Sequence, residues 1–295
     1  MDEKEFIKMT DLFFNISMDN IINCNIVLER LYKNEDLPVD EKQYLVLMAF
    51  YRELFERLVS IKTLYHEKLI GSSNVVIRSF YEILLQLLFM LFPAEKCNEK
   101  IGCCITFFSH KKIIEIQNYI SKDEKLQNND NWENILREYE EGYQKLHGKY
   151  IDAYKNKMRK LDENGKFCKS WYWLFDHQIK SISKLANELD SMKLYEKLPK
   201  NWFVGIHQKI YNYLSEFSHG ITVLDAIHMT DNEIQINDIH NLMNASAGIA
   251  CIYKLIETYN ACVSSLYPHL KFDTIDLMFL KKLAEQICKL DKKPI

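Results

Sequence analysis

The chain has 295 residues, 47% hydrophobic and 27% charged, a balance that excludes disordered and collagen-like polypeptides. Eight Gly and five Pro fall far below an average usage of about 12%, which excludes turn-rich sandwiches and propellers and disfavours Gly-dependent phosphate loops. A formal net charge of −3, from 38 basic and 41 acidic residues, excludes a global electrostatic footprint for nucleic acid, so any such binding must be local.

The first residues, Met-Asp-Glu-Lys-Glu, are acidic and carry no apolar signal core. Periodicity predicts a pair of helices over about 3–17 and 19–34, stopped by Asn34-Glu35-Asp36-Leu37-Pro38. A long helix is predicted from Asp40 to Leu69, with Leu47, Tyr51, Leu54, Phe55, Leu58, Ile61 and Tyr65 forming one buried stripe. Gly71-Ser72-Ser73-Asn74 reads as a turn into an apolar helix over 75–92, ended by Pro93. That helix carries Arg78, Glu82 and Gln86, so it reads as buried in protein rather than spanning a membrane. Helices follow at about 103–121 and 131–160, the second opened by Asp130 and Glu133 in a capping-box pattern. After the loop 162–166 come Trp171 and Trp173, a helix near 181–190, and one from Asn201 to His219 stopped by Gly220. A small hairpin over 226–236, turning at Asp231-Asn232, is the one β candidate, and helices over 238–266 and 274–290 close the chain. The expected fold is all-α, a multi-helix bundle of about nine to ten helices in a single domain spanning 1–295.

The eight cysteines, with no C-x-x-C pair among them, read as reduced, mostly buried thiols of a cytoplasmic protein. Cys97, Cys103, Cys104 and His110 lie close in sequence but lack zinc-site spacing, and the chain implies no metal and no cofactor.

Three groups of polar residues carry the functional reading. Arg78, Ser79, Glu82 and Gln86 fall within a 100° arc of their helix, with Arg78 and Glu82 one turn apart. They form either a thin solvent-facing strip or the lining of a polar pocket, where an Arg and a Glu must be paired and hydrogen-bonded. In the second group, Tyr211, Ser215 and His219 stack on one face just before Gly220, with His219 suited to the negative end of its helix. Thirdly, residues 123–141 hold seven acidic and two basic side chains, whereas 143–173 hold eight basic and three acidic ones, interleaved with aromatic rings. Much of that segregation suits a helix dipole, yet a basic and aromatic face, including Lys155 and Arg159, could also track single-stranded RNA.

Taken in order, Arg78-x-x-x-Glu82, Lys169-Ser-Trp171, Ile182-Ser-Lys-Leu185-Ala186-x-x-Leu189, Leu194-Tyr195 and Tyr211-x-x-x-Ser215-x-x-x-His219-Gly220 resemble a bacterial all-α family catalogued as domain of unknown function 5677. The resemblance spans about 40–225, leaving flanking helices over 1–34 and 238–290. It implies a helical fold and no stated activity. A looser architectural similarity, to the HEPN superfamily, implies a metal-independent ribonuclease or RNA-binding effector of antiviral-defence or toxin type. The HEPN signature places an Arg four to six residues before a His; here no cation precedes His219 until Lys209, so Arg78 would have to supply it.

On that reading His219 is the general acid/base, Arg78 stabilises developing phosphate charge, and Glu82 orients Arg78. Ser215 and Tyr211 hold the imidazole, while Gln86, Trp171, Lys155 and Arg159 contribute ligand contacts. Two alternatives stand beside it: a module that binds an anionic ligand such as a nucleotide, or a protein partner, in the same pocket; and a buried network that only fixes helix register. A homodimer is compatible with each.

Overall fold

The computed structural model describes residues 3–122, 130–151, 170–176, 178–211, 214, 227–229, 234–236, 245–267 and 274–291. Among these are ten α-helices: α1 (Glu3–Lys33), α2 (Glu41–His66), α3 (Ile70–Leu91), α4 (Cys97–Ser121), α5 (Asp130–Ile151), α6 (Trp171–Phe175), α7 (Ile182–Ser191), α8 (Trp202–Ile206), α9 (Ala245–Leu266) and α10 (Thr274–Asp291). A π-helical turn, His207–Tyr211, continues α8. Two short strands, β1 (Ile227–Met229) and β2 (Ile234–Ile236), pair antiparallel with His228 opposite Gln235. The fold is all-α, with this small β pair where a hairpin was expected; its turn, Asp231-Asn232, lies outside the described residues.

Helix α3 organises the bundle. Ile77, Phe80, Tyr81, Leu84, Leu85 and every residue from Leu87 to Leu91 are buried, and α2, α4, α7 and α9 pack around them. Burying each such large apolar side chain stabilises the fold by about 1.5–3 kcal/mol before chain entropy is counted. By length and composition alone α3 could cross a bilayer, with a mean hydropathy of 1.5 in its most apolar window, and 61% of that window is buried inside the protein. The α2 stripe packs inward as its spacing requires, with Phe55 only half-buried, and the Asp40 carboxylate caps the helix by accepting from the Gln43 N–H at 3.0 Å.

Two local expectations are overturned. The predicted break near residue 18 does not occur: α1 is one helix, because Phe13, Phe14, Ser17, Ile21 and Cys24 continue a single buried face and the Ser17 hydroxyl bonds back to the Phe13 carbonyl at 2.8 Å. Nor is Gly71–Asn74 a turn. It forms the first part of α3, where Ser73 and Asn74 are fully buried and the Ser73 hydroxyl donates to the Ile70 carbonyl at 2.7 Å. Tertiary burial outweighs turn propensity there. The last part of the predicted helix 131–160 and the loop 162–166 lie outside the described residues.

The far ends of the chain are fastened by buried polar bonds. Asn260 of α9 donates to Asn20 of α1 at 2.9 Å, and the Tyr51 and Tyr259 hydroxyls bond to each other across α2 and α9. Lys100 of α4 is fully buried; its ammonium donates to the Phe89 carbonyl at 2.8 Å and to that of Phe92, capping the C-terminal end of α3. It also lies 3.9 Å from the centre of the Phe89 ring. Burial, opposed by Cys97 and Glu188, lowers its pKa to about 7. In lysine labelled with ¹³C at Cε, the Lys100 resonance is therefore expected to titrate near neutrality, and Lys100→Met should remove that signal. A Lys100 resonance that titrates with the exposed lysines would show that the carbonyls hold the charged form.

Helix α9 approaches α2 and α3 closely at Gly248, where a methyl group would collide with the Tyr65 hydroxyl and sit 2.7 Å from Ile77 Cδ1. Gly248→Ala is expected to lower unfolding free energy by about 1–3 kcal/mol in urea, despite alanine's better helix propensity. An unchanged midpoint would mean that α9 can shift outward at no cost.

Candidate functional site

The polar arc of α3 is shared among three neighbours. Ser79 faces α2, accepting from Arg57 Nε at 3.1 Å. Gln86 faces α6, where its side-chain carbonyl accepts from the buried Trp171 indole N–H at 2.7 Å. Arg78 and Glu82 face the π-helical turn. Arg78 Nε donates to Glu82 Oε1 at 3.1 Å, and Arg78 Nη2 donates to the Tyr211 hydroxyl at 2.5 Å. The guanidinium carbon also lies 4.5 Å from the centre of the Tyr211 ring. The Arg78 and Glu82 side chains are 22% and 30% exposed, so the pair is neither sealed in the core nor free in solvent. The arc is therefore an interhelical strip rather than a solvated one.

Local geometry explains why Tyr211 reaches Arg78. Asp190, near the end of α7, accepts from the Phe203 and Val204 backbone N–H groups, each at 2.9 Å, and so pins the start of α8. The five-residue π-helical turn that follows, with its wider i→i+5 bonding, brings His207 and Tyr211 onto α3 together. Their rings stack 4.4 Å apart at an interplanar angle of 19°. His207 Nδ1 lies 3.2 Å from the Tyr81 hydroxyl, one turn beyond Arg78 on α3.

The electrostatics favour a neutral imidazole. Burial lowers the His207 pKa below its ordinary value, and the nearby Arg78 charge lowers it further. Burial raises the Tyr81 and Tyr211 phenols, so both remain protonated donors at neutral pH. Either the Tyr81 hydroxyl or His207 Nδ1–H can donate in the bond between them; the tautomer that donates Nδ1–H carries its lone pair on Nε2 of a buried ring. A half-buried cation, a neutral base and two phenols thus converge from α3 and a single turn. Among the described residues no three His, Cys, Asp or Glu side chains converge as metal ligands would.

Of the residues singled out from sequence, Arg78, Glu82 and Tyr211 come together, and Gln86 and Trp171 form a second pair farther along α3. Ser215, His219, Lys155 and Arg159 lie outside the described residues. Sequence reasoning missed His207 and Tyr81. The signal was present in the spacing His207-x-x-x-Tyr211, but the His219-Gly220 stop drew attention forward along the helix rather than back.

A depressed histidine pKa makes the folded state bind fewer protons than the unfolded chain as pH falls below 6.5, the ordinary value. Stability is thus expected to decline from pH 6.5 downward through the folded pKa, and His207→Gln should flatten part of that decline in denaturant titrations. Identical acid limbs for both proteins would show that His207 takes up its proton as easily folded as unfolded.

A family model described as a family of unknown function, DUF5677, matches residues 44–236. No curated protein and no solved structure matches the chain. The matched span takes in most of α2 and everything through β2, including Arg78, Glu82, His207 and Tyr211, whereas α1, α9 and α10 lie outside it. With well over half of its length matched, and with the strip on α3 inside that match, the chain belongs to the DUF5677 family.

Proposed function

We propose that this protein is a HEPN-like RNA effector that engages an RNA phosphate at Arg78 and cleaves the chain without a metal ion. The observation that carries this reading is a half-buried guanidinium, held by Glu82 and Tyr211, beside the His207 imidazole that stacks on the same Tyr211 ring. Cleavage by a 2′-hydroxyl needs a base for its proton, a cation for the charge gathering on phosphorus, and an acid for the leaving 5′-oxygen. His207 accepts the 2′-proton at Nε2 while Tyr81 orients its ring. Arg78 bears the phosphate charge, with Glu82 and Tyr211 fixing its direction. The 2′-oxygen bonds to phosphorus, the bond to the 5′-oxygen breaks, and an acid gives a proton to that oxygen. His219, singled out from the sequence, is assigned that role.

The same strip supports a second reading, in which an anionic ligand such as a nucleotide binds and no bond is broken. The Arg78–Glu82 pair favours it, because a cation already half neutralised suits recognition as well as catalysis.

Incubation of the full chain with labelled single-stranded RNA in excess chelator separates the two. Arg78→Ala is expected to lower cleavage by about 10²–10³-fold, and His207→Ala and His219→Ala by about 10²–10⁴-fold each, with folding checked by thermal melts. No cleavage by the wild type, together with a nucleotide-induced rise in melting temperature that Arg78→Ala abolishes, would replace the ribonuclease with a binding module.

A further inference from the structure

The connection from α7 to α8 borders a cleft that the strip on α3 does not use. Its volume is about 670 Å³, within the range of small-ligand sites. Buried Leu189, Leu194 and Phe203 contribute its apolar lining, and Tyr195 and Leu198, both half-buried, pack on the same core beside them. Leu189, Leu194 and Tyr195 belong to the motifs that carry the family resemblance, and the cleft lies wholly within residues 44–236.

The polar groups at the rim have few partners in the fold. Lys193 and Lys200 line the cleft, are exposed, and make no ion pair among the described residues. With Lys197 between them, residues 193–200 hold three lysines against one glutamate, Glu196, in a chain whose net charge is −3. Asp190, the other carboxylate at the cleft, is already engaged by the Phe203 and Val204 N–H groups, each at 2.9 Å. Because Asp190 satisfies those donors, Asn201 stands in the N-cap position of α8 without making a capping bond through its own side chain. The Asn201 amide is left at the rim, on a left-handed backbone (φ 58°), and Lys193, also left-handed (φ 50°), turns the chain at the end of α7. Between them the Leu198 N–H closes a turn on the Tyr195 carbonyl at 3.0 Å. The rim is thus fixed in its backbone while two ammonium groups and an amide face no protein partner among the described residues.

Two unpaired cations and a free amide around an apolar lining with one flat ring match a ligand of two parts. Its anionic group meets Lys193 and Lys200, since lysine binds phosphate as a point charge, and its flat body lies against Tyr195 and Leu198. Neither a bare inorganic anion nor a wholly apolar ligand uses both halves. We propose that the α7–α8 cleft is a nucleotide-binding site separate from the strip on α3, with phosphate at Lys193 and Lys200, the base against Tyr195, and the Asn201 amide on the base edge. Asparagine pairs best with adenine, which fixes the choice of probe. The unit bound is either a free nucleotide or one nucleotide of an RNA strand, and the inference is independent of the chemistry assigned to Arg78.

Calorimetric titration of the full chain with adenosine 5′-monophosphate, and with an uncleavable 2′-O-methyl adenosine hexanucleotide, tests it. The monophosphate is expected to bind, with adenosine and inorganic phosphate each much weaker. Replacing both Lys193 and Lys200 by Glu should weaken binding about tenfold or more, and Tyr195→Ala about fivefold or more. Melting curves establish that each variant is folded. A hexanucleotide that binds more tightly than the monophosphate, and loses that advantage with the lysine reversals, assigns the unit to a strand; equal affinities that both fall with the reversals assign it to the free nucleotide. Affinities indifferent to the lysine reversals overturn the proposal, as does a wild type that binds neither probe. Binding that Arg78→Ala abolishes and the lysine reversals leave intact would belong to α3 and equally overturn it. Cleavage of RNA by the wild type, present or absent, bears on the reading of Arg78 alone.

Discussion

A guanidinium on an otherwise apolar helix must find partners wherever the bundle takes it, because its charge cannot be left unpaired as water is removed. On α3 that demand falls on Arg78, and it is met by Glu82 one turn away and by Tyr211 from a turn more than a hundred residues later. The bond to Tyr211 ties the first half of the bundle to the segment that leads toward His219. It also bears on why the His207 pKa is lowered: the imidazole is buried against the ring that Arg78 touches, near a positive charge. The rest of the strip, from Ser79 to Gln86, is likewise bonded to a neighbouring helix rather than left to solvent.

The helices outside the family match are integral to the same core. α9 packs on α3, α1 packs on α2, and α10 packs on both α1 and α9. Their buried polar contacts, Asn20 with Asn260 and Tyr51 with Tyr259, are directional, and directional bonds in an apolar setting select one register among helices that could slide. Gly248 adds a steric condition, since α9 can lie this close to Tyr65 and Ile77 only without a side chain there. The strip on α3 is thus held from behind by elements that contribute none of its functional groups.

Much of this fold was legible because apolar spacing is a strong signal over long helices. The α2 stripe from Leu47 to Tyr65 and the apolar body of α3 follow directly from it. Where local chemistry and tertiary burial disagree, the sequence misleads. Gly71-Ser72-Ser73-Asn74 has turn composition but is helical, since Ser73 satisfies its hydroxyl within its own helix while buried. The site was half legible for a similar reason. Arg78 and Glu82 stand out as charges in an apolar run, and Tyr211 by its place before a His-Gly stop. His207 has no such contrast around it, and its four-residue spacing from Tyr211 does not by itself disclose the π-helical turn that sets it on Tyr81. The full burial of Lys100 is hidden in the same way, because the carbonyls that receive it belong to the end of another helix.

The proposed chemistry requires Arg78 to be a sheltered, directed cation that meets RNA. Proton-detected NMR on protein labelled with ¹⁵N at arginine Nε reads this directly. Arg78 Nε–H is expected to exchange slowly with water in the free protein, and to shift on addition of a short RNA whose reactive 2′-hydroxyl is replaced by hydrogen. A resonance that exchanges as fast as those of exposed arginines, and stays unmoved when the oligonucleotide is added, would contradict it.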